Sequence, residues 1–363
     1  MARTQNLMKI IDRYLATTIL HSIGVVLFAA TGLEFFILMV AELRDIGQNT
    51  YGVAQALLFV LLNLPEQLYQ IFPMAGLIGM LMGLGVLANH SELIVLRQAG
   101  LSFLAITWRT FKTLICLVAL LALMGELLAP KATFYANQYK NDHIHVNNNQ
   151  DNCSDDVWIK DQQNYLHIGQ IDQQQLLHHI SWYAFDDQQQ LKQFSTAESG
   201  QYRNGTWQVT HVHGTLIDRK QVTTFHTAAA TWPFNLKPEI LRNSVQKPSS
   251  LSLRELNASL RFHQKANTTN EPLQLAFWKR IFQPLASLVM MLLAIPFIFG
   301  PLRSVSQSLR LVAGIATGFG FYYCNQLLSP VVLLLQLPAF LGASLPCLSF
   351  GLLGLFMLMH QKR

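Results

Sequence analysis

Long apolar blocks separated by polar ones are the main pattern along this chain. Six blocks are apolar over enough residues to cross a membrane as helices, since a span needs roughly 20 residues. They cover residues 15–40, 71–88, 113–129, 281–299, 311–335 and 339–359. A long polar block separates the third from the fourth. The pattern predicts an α-helical membrane bundle of six transmembrane helices with one inserted domain.

The domain boundaries follow from the same pattern. Residues 1–130 hold the first three predicted helices, residues 131–276 the inserted domain and residues 277–363 the last three helices. The first apolar block follows basic residues, as the core of a signal peptide does. It is too long for a signal peptide and lacks a clear cleavage site, so we expect an uncleaved span.

The second apolar block predicts an unusual helix. The apolar stretch VAQALLFVLLNL precedes it, and Pro65 and Pro73 interrupt the combined run. Each proline removes a backbone donor, so we expect one long helix that is kinked or broken there. The spacing of four glycines in this block permits close packing against another helix: Gly76, Gly79, Gly83 and Gly85.

Carboxylates in or beside the apolar blocks are candidate functional residues, because ionisable groups are costly inside a membrane. Glu34 lies within the first block, Glu66 at the break before the second and Glu126 near the end of the third. Glu126 is close enough to the predicted membrane surface to reach water. The functional interpretation is therefore weaker for Glu126 than for Glu34.

The inserted domain reads as strands followed by a helix. Aromatic and β-branched residues alternate with polar ones in VWIKD, NYLHIGQI, LLHHISWYAF, QLKQFSTA, GTWQVTHVHGT and QVTTFHTA. This alternation predicts an all-β sandwich or roll. In SLRELNASLRFHQ, Ser252 precedes Glu255 by three residues, which is the pattern of a capping box. We expect a connecting helix there that leads back to the membrane.

Composition also indicates a membrane protein. Of the 363 residues, 51% are hydrophobic and 13% are charged, whereas about a quarter are charged in an ordinary soluble domain. Four cysteines in this length exclude a disulfide-dense scaffold. The formal net charge is +6, but the basic residues are scattered in ones and twos, so the chain does not resemble a nucleic-acid-binding protein.

The basic residues predict the orientation, because Lys and Arg in short loops face the cytoplasm. One set of helix ends holds Arg3, Lys9, Arg13, Arg97, Arg109, Lys112, Arg303, Arg310, Lys362 and Arg363. The short loops on the opposite side hold only Arg44. We therefore expect both termini in the cytoplasm and the inserted domain on the outer side. Lys279 and Arg280 depart from the rule, but they follow a long exported segment, where the rule is weak.

The sequence contains no pattern that indicates catalysis. It has no Walker A, HExxH or GxSxG motif, so we expect no enzyme activity, no nucleotide site and no cofactor. Histidines in the inserted domain could form a metal site: His167, His178, His179, His211, His213 and His226. His211 and His213 would share a strand face, but no Cys or carboxylate is evident beside them. A solvated strand face is favoured over a metal site.

The stretch LANHSELIVLRQAGLS, residues 87–102, predicts a short helix at the cytoplasmic surface. Ser91 is a good N-cap, Glu92 suits the positive end of the helix dipole, and Gly100 suits the position after the helix. The apolar residues Leu93, Ile94, Val95 and Leu96 cannot all face lipid, so some should dock into another protein. The alternative is a loop helix that lies in the headgroup layer.

These features together resemble the lipopolysaccharide export permeases of Gram-negative bacteria, the LptF/LptG family. The resemblance is carried by DRYL, FPMAGLIGMLMGLGVLANHSELIVLRQAG, WKRIFQPLASLVMMLLAIPFIFGPLRS and FGFYYCNQLLSP. With the order of the spans and the inserted domain, it covers essentially the whole chain. The SELIVLRQAG and IFQPLASLVMMLLA segments favour the LptG type over the LptF type.

The resemblance implies a subunit of an ABC transporter in the bacterial inner membrane. Such a subunit draws lipopolysaccharide from the membrane and passes it to a periplasmic bridge, beginning with the bitopic protein LptC. It pairs with the sister permease LptF and is powered by a separate cytoplasmic ATPase dimer, LptB. The inserted domain of the family is a periplasmic β-jellyroll.

The resemblance also implies roles for particular residues. The ATPase-coupling helix, about residues 91–100, would contain Ser91, Glu92, Leu93, Ile94, Val95, Leu96, Arg97 and Gly100. Glu92 falls on the acidic residue that contacts the ATPase. The lipid cavity would be faced by Leu38, Arg44, Glu66, Ile71, Phe72, Phe319 and Tyr322.

The chain departs from better-known members at the outer end of the first two spans. Those members carry several lysines there that meet lipid phosphates, whereas this chain has Leu38, Asp45 and Glu66, and only Arg44 stays basic. The partner subunit, or a lipid with different phosphorylation, could account for the difference. Two alternatives to an LptG-type permease remain: an LptF-type permease, or a non-transporting membrane anchor with a periplasmic scaffold domain.

Overall fold

A computed structural model shows two compact units. It describes residues 2–90, 92, 95, 98, 103–144, 157–161, 163–171, 176–186, 188–203, 205–218, 221–232, 236–266, 268, 270–299 and 306–360. The membrane unit comprises Met1–Lys140 and Gln274–Arg363, and the β unit comprises Asn141–Leu273. The predicted inserted domain began at residue 131, where the composition turns polar. In the structure, the first part of the membrane unit ends at Lys140, within a helix.

The helices can be given in chain order. They are α1 (Ala2–Glu42), α2 (Val53–Asn89), α3 (Phe103–Leu123), α4 (Ala129–Ile144), α5 (Pro238–Val245), α6 (Leu253–Lys265), α7 (Glu271–Phe299), α8 (Gln307–Leu334) and α9 (Ala339–His360). A π-helical segment, Met124–Leu128, joins α3 to α4. The long apolar helices form the membrane unit, and α5 and α6 lie within the β unit.

Several of these helices can cross a membrane. Among the residues that the structure describes, five helices are long and apolar enough, over residues 12–42, 53–89, 110–144, 271–298 and 339–359. The protein is therefore a multi-pass membrane protein with an inserted β unit, as predicted. The fifth predicted span, residues 311–335, corresponds to α8, which carries Arg310, Asn325 and Gln326 among its apolar residues. That α8 also crosses the membrane stays a prediction.

The helix α2 is continuous from Val53 to Asn89, with Pro65 and Pro73 inside it. Its glycines allow close contact with α1. A Cβ atom at Gly79 would lie 2.5 Å from the Cα atom of Ile23, and one at Gly83 would lie 3.2 Å from Cα of Ile19. The two backbones therefore approach closely, as the spacing of small residues predicted.

The core of the membrane unit is continuous across its helices. Buried residues of α1 and α2, such as Ile19 and Leu84, pack in one cluster with Leu114 of α3, Met290 of α7 and Phe321 of α8. The helix α2 packs against both α1 and α8, and α8 packs against α9. Because α2 contributes many of the buried side chains, it lies at the centre of this unit.

The β unit contains a six-stranded antiparallel sheet in which neighbouring strands are consecutive in sequence. The strands are β1 (Val157–Asp161), β2 (Asn164–Ile171), β3 (Leu177–Phe185), β4 (Leu191–Arg203), β5 (Thr206–Ile217) and β6 (Val222–Trp232). All six predicted strand segments are therefore present. The described strands form a meander, and the jellyroll form implied by the family resemblance stays a prediction.

Helices α5 and α6 pack on one face of this sheet. Leu241 and Phe262 join Ile168, Trp207 and Val209 in one hydrophobic cluster. The helix predicted for SLRELNASLRFHQ is confirmed as α6. Its capping box is present, with the Ser252 hydroxyl accepting from the backbone N–H of Glu255 and the Glu255 carboxylate accepting from the backbone N–H of Ser252.

Candidate functional site

A buried arginine, Arg280 of α7, joins three parts of the membrane unit. Its Nη1 atom lies 3.5 Å from Oε1 of Glu66 in α2, and its Nε atom lies 3.6 Å from Oε2 of Glu126 in the π-helical segment. Its Nη2 atom donates to the carbonyl oxygen of Gly125. Arg280 is 6% exposed, so these ionic contacts lie inside the bundle.

An aromatic ring closes over this arginine. The Tyr69 ring centroid lies 5.4 Å from the Arg280 guanidinium carbon, in the range of a cation–π contact. A Cβ atom at Gly125 would lie 2.4 Å from Cδ2 of Tyr69, so a glycine is required there. Gln70 donates to Oε1 of Glu66 at 3.1 Å. Within the described chain, Oε2 of Glu66 has no hydrogen-bond partner.

A second cation, Lys140 of α4, also lies between two carboxylates. Its Nζ atom is 2.7 Å from Glu42 Oε2 at the end of α1 and 2.7 Å from Asp45 Oδ2 in the following turn. The Tyr51 hydroxyl donates to Glu42 Oε2 at 2.9 Å. Burial, together with this hydrogen bond and the charge of Glu42, raises the pKa of the Tyr51 phenol. The contacts connect α1, α4 and the loop before α2.

The C-terminal end of α2 meets the start of α8 around Arg310, which lies in the first turn of α8. Its Nη1 atom donates to the carbonyl oxygen of Gly85 at 3.2 Å and to Oδ1 of Asn89 at 2.9 Å. Asn89, the last residue of α2, donates through Nδ2 to Oε1 of Gln307 at 3.3 Å. Arg310 is 4% exposed. The end of α2 and the start of α8 are therefore connected by a buried cation.

The predicted coupling helix begins just after α2. Glu92, Val95 and Gln98 are described and have helical conformation. The Tyr14 hydroxyl of α1 donates to Oε1 of Glu92 at 3.1 Å, on an exposed part of the surface. The remaining predicted coupling residues lie outside the described residues: Ser91, Leu93, Ile94, Leu96, Arg97 and Gly100.

The predicted cavity residues occupy different environments. Arg44, Phe319 and Tyr322 are exposed, and Leu38 and Ile71 are partly exposed. The other two, Glu66 and Phe72, are buried within the membrane unit at 6% and 1% exposure. A small pocket between α7, α8 and α9 is lined by none of the seven residues. This single chain therefore does not bring all of them to one surface.

Four histidines of the β unit line an open groove of about 400 Å³ on the sheet. His167, His179, His211 and His213 contribute to it, and His211 Nδ1 lies 3.1 Å from Glu198 Oε2. The sequence reasoning missed this carboxylate because it lies on the neighbouring strand. Among the described residues, no group of three His, Cys, Asp or Glu side chains is placed to hold a metal ion.

The sequence indicated some residues of these clusters but not which residues contact each other. Sequence reasoning selected Glu66 and Glu126 as charges near apolar blocks, but treated Arg280 as an exception to the orientation rule. The available signal was that all three charges fall at one predicted end of the bundle. For Arg310, Asn89 and Tyr14, no local motif distinguishes the contacts that the fold creates.

Comparison with known proteins identifies the family of this chain. The sequence model of the lipopolysaccharide export system permease LptF/LptG matches residues 13–360. The chain belongs to this permease family. It is 34% identical to the lipopolysaccharide export system permease protein LptG of Escherichia coli strain K12 over 356 residues, which cover 97% of this chain and 99% of the relative.

A second relative of the permease comes from Haemophilus influenzae strain Rd. That protein is also named lipopolysaccharide export system permease protein LptG, and it is 32% identical over 355 residues, or 97% of this chain and 99% of its own length. Full-length similarity to two such proteins, together with the apolar helices, makes the chain a lipopolysaccharide export permease of the LptG type.

Proposed function

We propose that this permease is the membrane subunit of an ABC transporter and depends on a separate ATPase for energy. The observation that carries the proposal is that this chain matches the export permease family over residues 13–360 and its sequence contains no nucleotide-binding motif. Energy must then enter through a contact with another chain. The proposed contact is the segment 91–100, with Glu92 as its charged residue and LptB as the ATPase.

The remaining assembly follows from the family. The permease pairs with LptF in the bacterial inner membrane, extracts lipopolysaccharide, and passes it to LptC and the periplasmic bridge. Both termini face the cytoplasm and the β unit faces the periplasm. The distribution of Lys and Arg in the short loops supports this orientation.

The lipid cavity is proposed to use the residues that the chain exposes. Arg44 offers a guanidinium, which suits phosphate oxygens, and Phe319 and Tyr322 offer aromatic surface for acyl chains. Glu66 and Phe72 are buried, so they support the cavity wall from inside instead of touching lipid. Because Glu66 is buried and pairs with Arg280, its negative charge is compatible with an anionic lipid in the cavity.

The test is a charge reversal at Glu92. Glu92→Lys is expected to weaken copurification of the ATPase, because truncating one partner of a buried charge pair typically costs about 2–5 kcal/mol of binding. The protein should still reach the membrane, and its β unit should remain folded, as measured by limited proteolysis. A compensating reversal on the ATPase that restores growth would support a direct contact.

The matched control is Glu239→Lys, which reverses an exposed charge in the first turn of α5, within the β unit. It is expected to change neither copurification nor lipid export. Normal copurification, ATP hydrolysis and lipid export in Glu92→Lys would show that this residue does not couple the two chains.

A further inference from the structure

Arg310 holds the stretch of α2 that leads directly into the proposed coupling segment. Asn89 ends α2 and lies three positions before Glu92. We call the contacts among Gly85, Asn89, Gln307 and Arg310 the Arg310 brace. In the brace, one buried nitrogen atom, Arg310 Nη1, contacts both a backbone carbonyl and the side chain of Asn89.

We propose that Arg310 is a positioning residue, which makes the end of α2 and the start of α8 move as one body. A displacement of the coupling segment is then passed to α8 through the brace. The inference rests on the proposed function, because it assumes that the ATPase binds residues 91–100 and moves them.

The two helix ends should move together because separating α2 from α8 at the brace costs free energy. A buried charged group that loses its hydrogen-bond partners keeps its desolvation penalty. If α2 slid away from α8, the Arg310 guanidinium would lose contacts with Gly85 and Asn89 at 3.2 and 2.9 Å. The carbonyl groups in the last turn of α2 also carry the negative end of the helix dipole, which favours a cation there.

Packing farther along the two helices keeps them together. A Cβ atom at Gly314 would lie 2.5 Å from Cδ1 of Leu81, and one at Gly318 would lie 2.6 Å from Cγ of Met74. Side chains of α2 thus fill the places where α8 has glycines. The brace at one end and this packing in the middle make the α2 and α8 pair resist sliding.

The proposal connects movement of α8 to the proposed lipid cavity. Phe319 follows Gly318 directly, and Tyr322 lies three positions farther along the same helix. Both side chains are exposed, at 44% and 37%. Movement of α8 as one body with α2 therefore changes the position of two aromatic residues that the proposed lipid cavity uses. The route runs from Glu92 through Asn89 and Arg310 to Phe319.

The test uses the assembled transporter in vesicles that contain lipopolysaccharide. Asn89→Ala removes the exposed acceptor of the brace, whereas Asn89→Asp retains an acceptor for Arg310. Asn89→Ala and Arg310→Gln are expected to keep the ATPase bound and hydrolysing ATP. They should lower the lipid transferred per ATP hydrolysed by about tenfold, within the range by which single residues change coupling. Asn89→Asp should keep the ratio of the parent protein.

A purely stabilising role gives a different result. Folded yield, hydrolysis and transfer would then fall together, and the transfer per ATP would stay constant, which would overturn the proposal. An unchanged ratio in both Asn89→Ala and Arg310→Gln would also overturn it. Glu92→Lys serves as the comparator, because loss of ATPase binding reports on the proposed docking contact and the transfer ratio reports on the brace.

A cross-link provides an independent measurement. Asn89→Cys and Gln307→Cys can be joined in a background from which the four native cysteines have been removed. The reduced variant lacks the Asn89 acceptor and should show the low transfer per ATP of Asn89→Ala. If the two helix ends move together, cross-linking restores lipid export. Export that stops on cross-linking and returns on reduction would show that the ends must separate, which contradicts the proposal.

Discussion

The two ends of the membrane unit use charged side chains in different ways. At the Arg280 end, Arg280 and Lys140 each lie between two carboxylates, and each cluster joins several helices. At the Arg310 end, Arg310 contacts a carbonyl and a neutral amide, and Tyr14 donates to Glu92 near the surface. The first end is organised by ion pairs that join helices, and the second by hydrogen bonds from a buried cation to neutral groups, beside the proposed docking segment.

Removing the central cation of the Arg280 end should have the largest effect on stability. Arg280→Met leaves the Glu66 and Glu126 carboxylates without their guanidinium, and breaking a buried pair in this way costs about 3–5 kcal/mol. The expected result is a clear drop in the thermal unfolding midpoint of the purified protein in detergent. The measurement is the fraction that stays monodisperse after heating.

The control for this variant removes the carboxylates as well. Arg280→Met combined with Glu66→Gln and Glu126→Gln should recover much of the lost stability, because replacing a whole buried ionic group costs far less than leaving part of it uncompensated. If Arg280→Met alone unfolds at the same temperature as the parent protein, the Arg280 end does not depend on its ion pairs.

A smaller loss is expected from Lys140→Met. The Lys140 and Glu42 side chains are 18% and 11% exposed, so water screens their pairing more than it does that of Arg280. We expect a loss of about 1–2 kcal/mol, between the values for surface and buried pairs. Lys140→Arg is the matched variant, which should retain most of the stability. Equal losses for the Met and Arg variants would exclude the ion pairs as the cause.

The smallest change in stability is expected at the Arg310 end, from Tyr14→Phe. The substitution deletes only the hydroxyl that donates to Glu92, and Tyr14 is 48% exposed. The free energy of unfolding should change by no more than about 0.5 kcal/mol, as is typical of exposed contacts, so the unfolding midpoint should hardly shift. ATPase copurification should weaken, since the Glu92 carboxylate loses one orienting donor. A large drop in stability with normal copurification would reverse the distinction between the two ends.

Local signals in the sequence were sufficient for much of the fold. Ser252 and Glu255 predicted the start of α6 because a capping box is complete within four residues. The alternation of aromatic and polar residues predicted all six strands, and the glycines of α2 predicted close packing against another helix, which the structure shows to be α1. Each of these depends on a repeat or cap that lies within one element.

The contacts of the candidate sites could not be predicted in the same way. Arg280 meets Glu66 and Glu126 only after three distant segments have packed together, so periodicity within any one of them contains no sign of the pairing. The same holds for Arg310 and Asn89. Sequence alone also could not show that Phe72 faces the interior while Phe319 faces outward, because both are apolar residues of long, mostly apolar helices.

The π-helical segment Met124–Leu128 sets the angular phase of the helix that follows it. An α-helix advances about 100° per residue, and a π-type turn holds one residue more than an α-helical turn. Deleting one residue from this segment would let it close into a regular α-helical turn and keep the phase of α4, whereas deleting two would turn α4 by about 100° about its own axis. Lys140 would then leave Glu42 and Asp45, although no residue of that cluster had been changed. The position of Lys140 thus depends on the number of residues that precede it as well as on their identity: the π-type turn can absorb the loss of one residue, and the loss of two should separate the cluster.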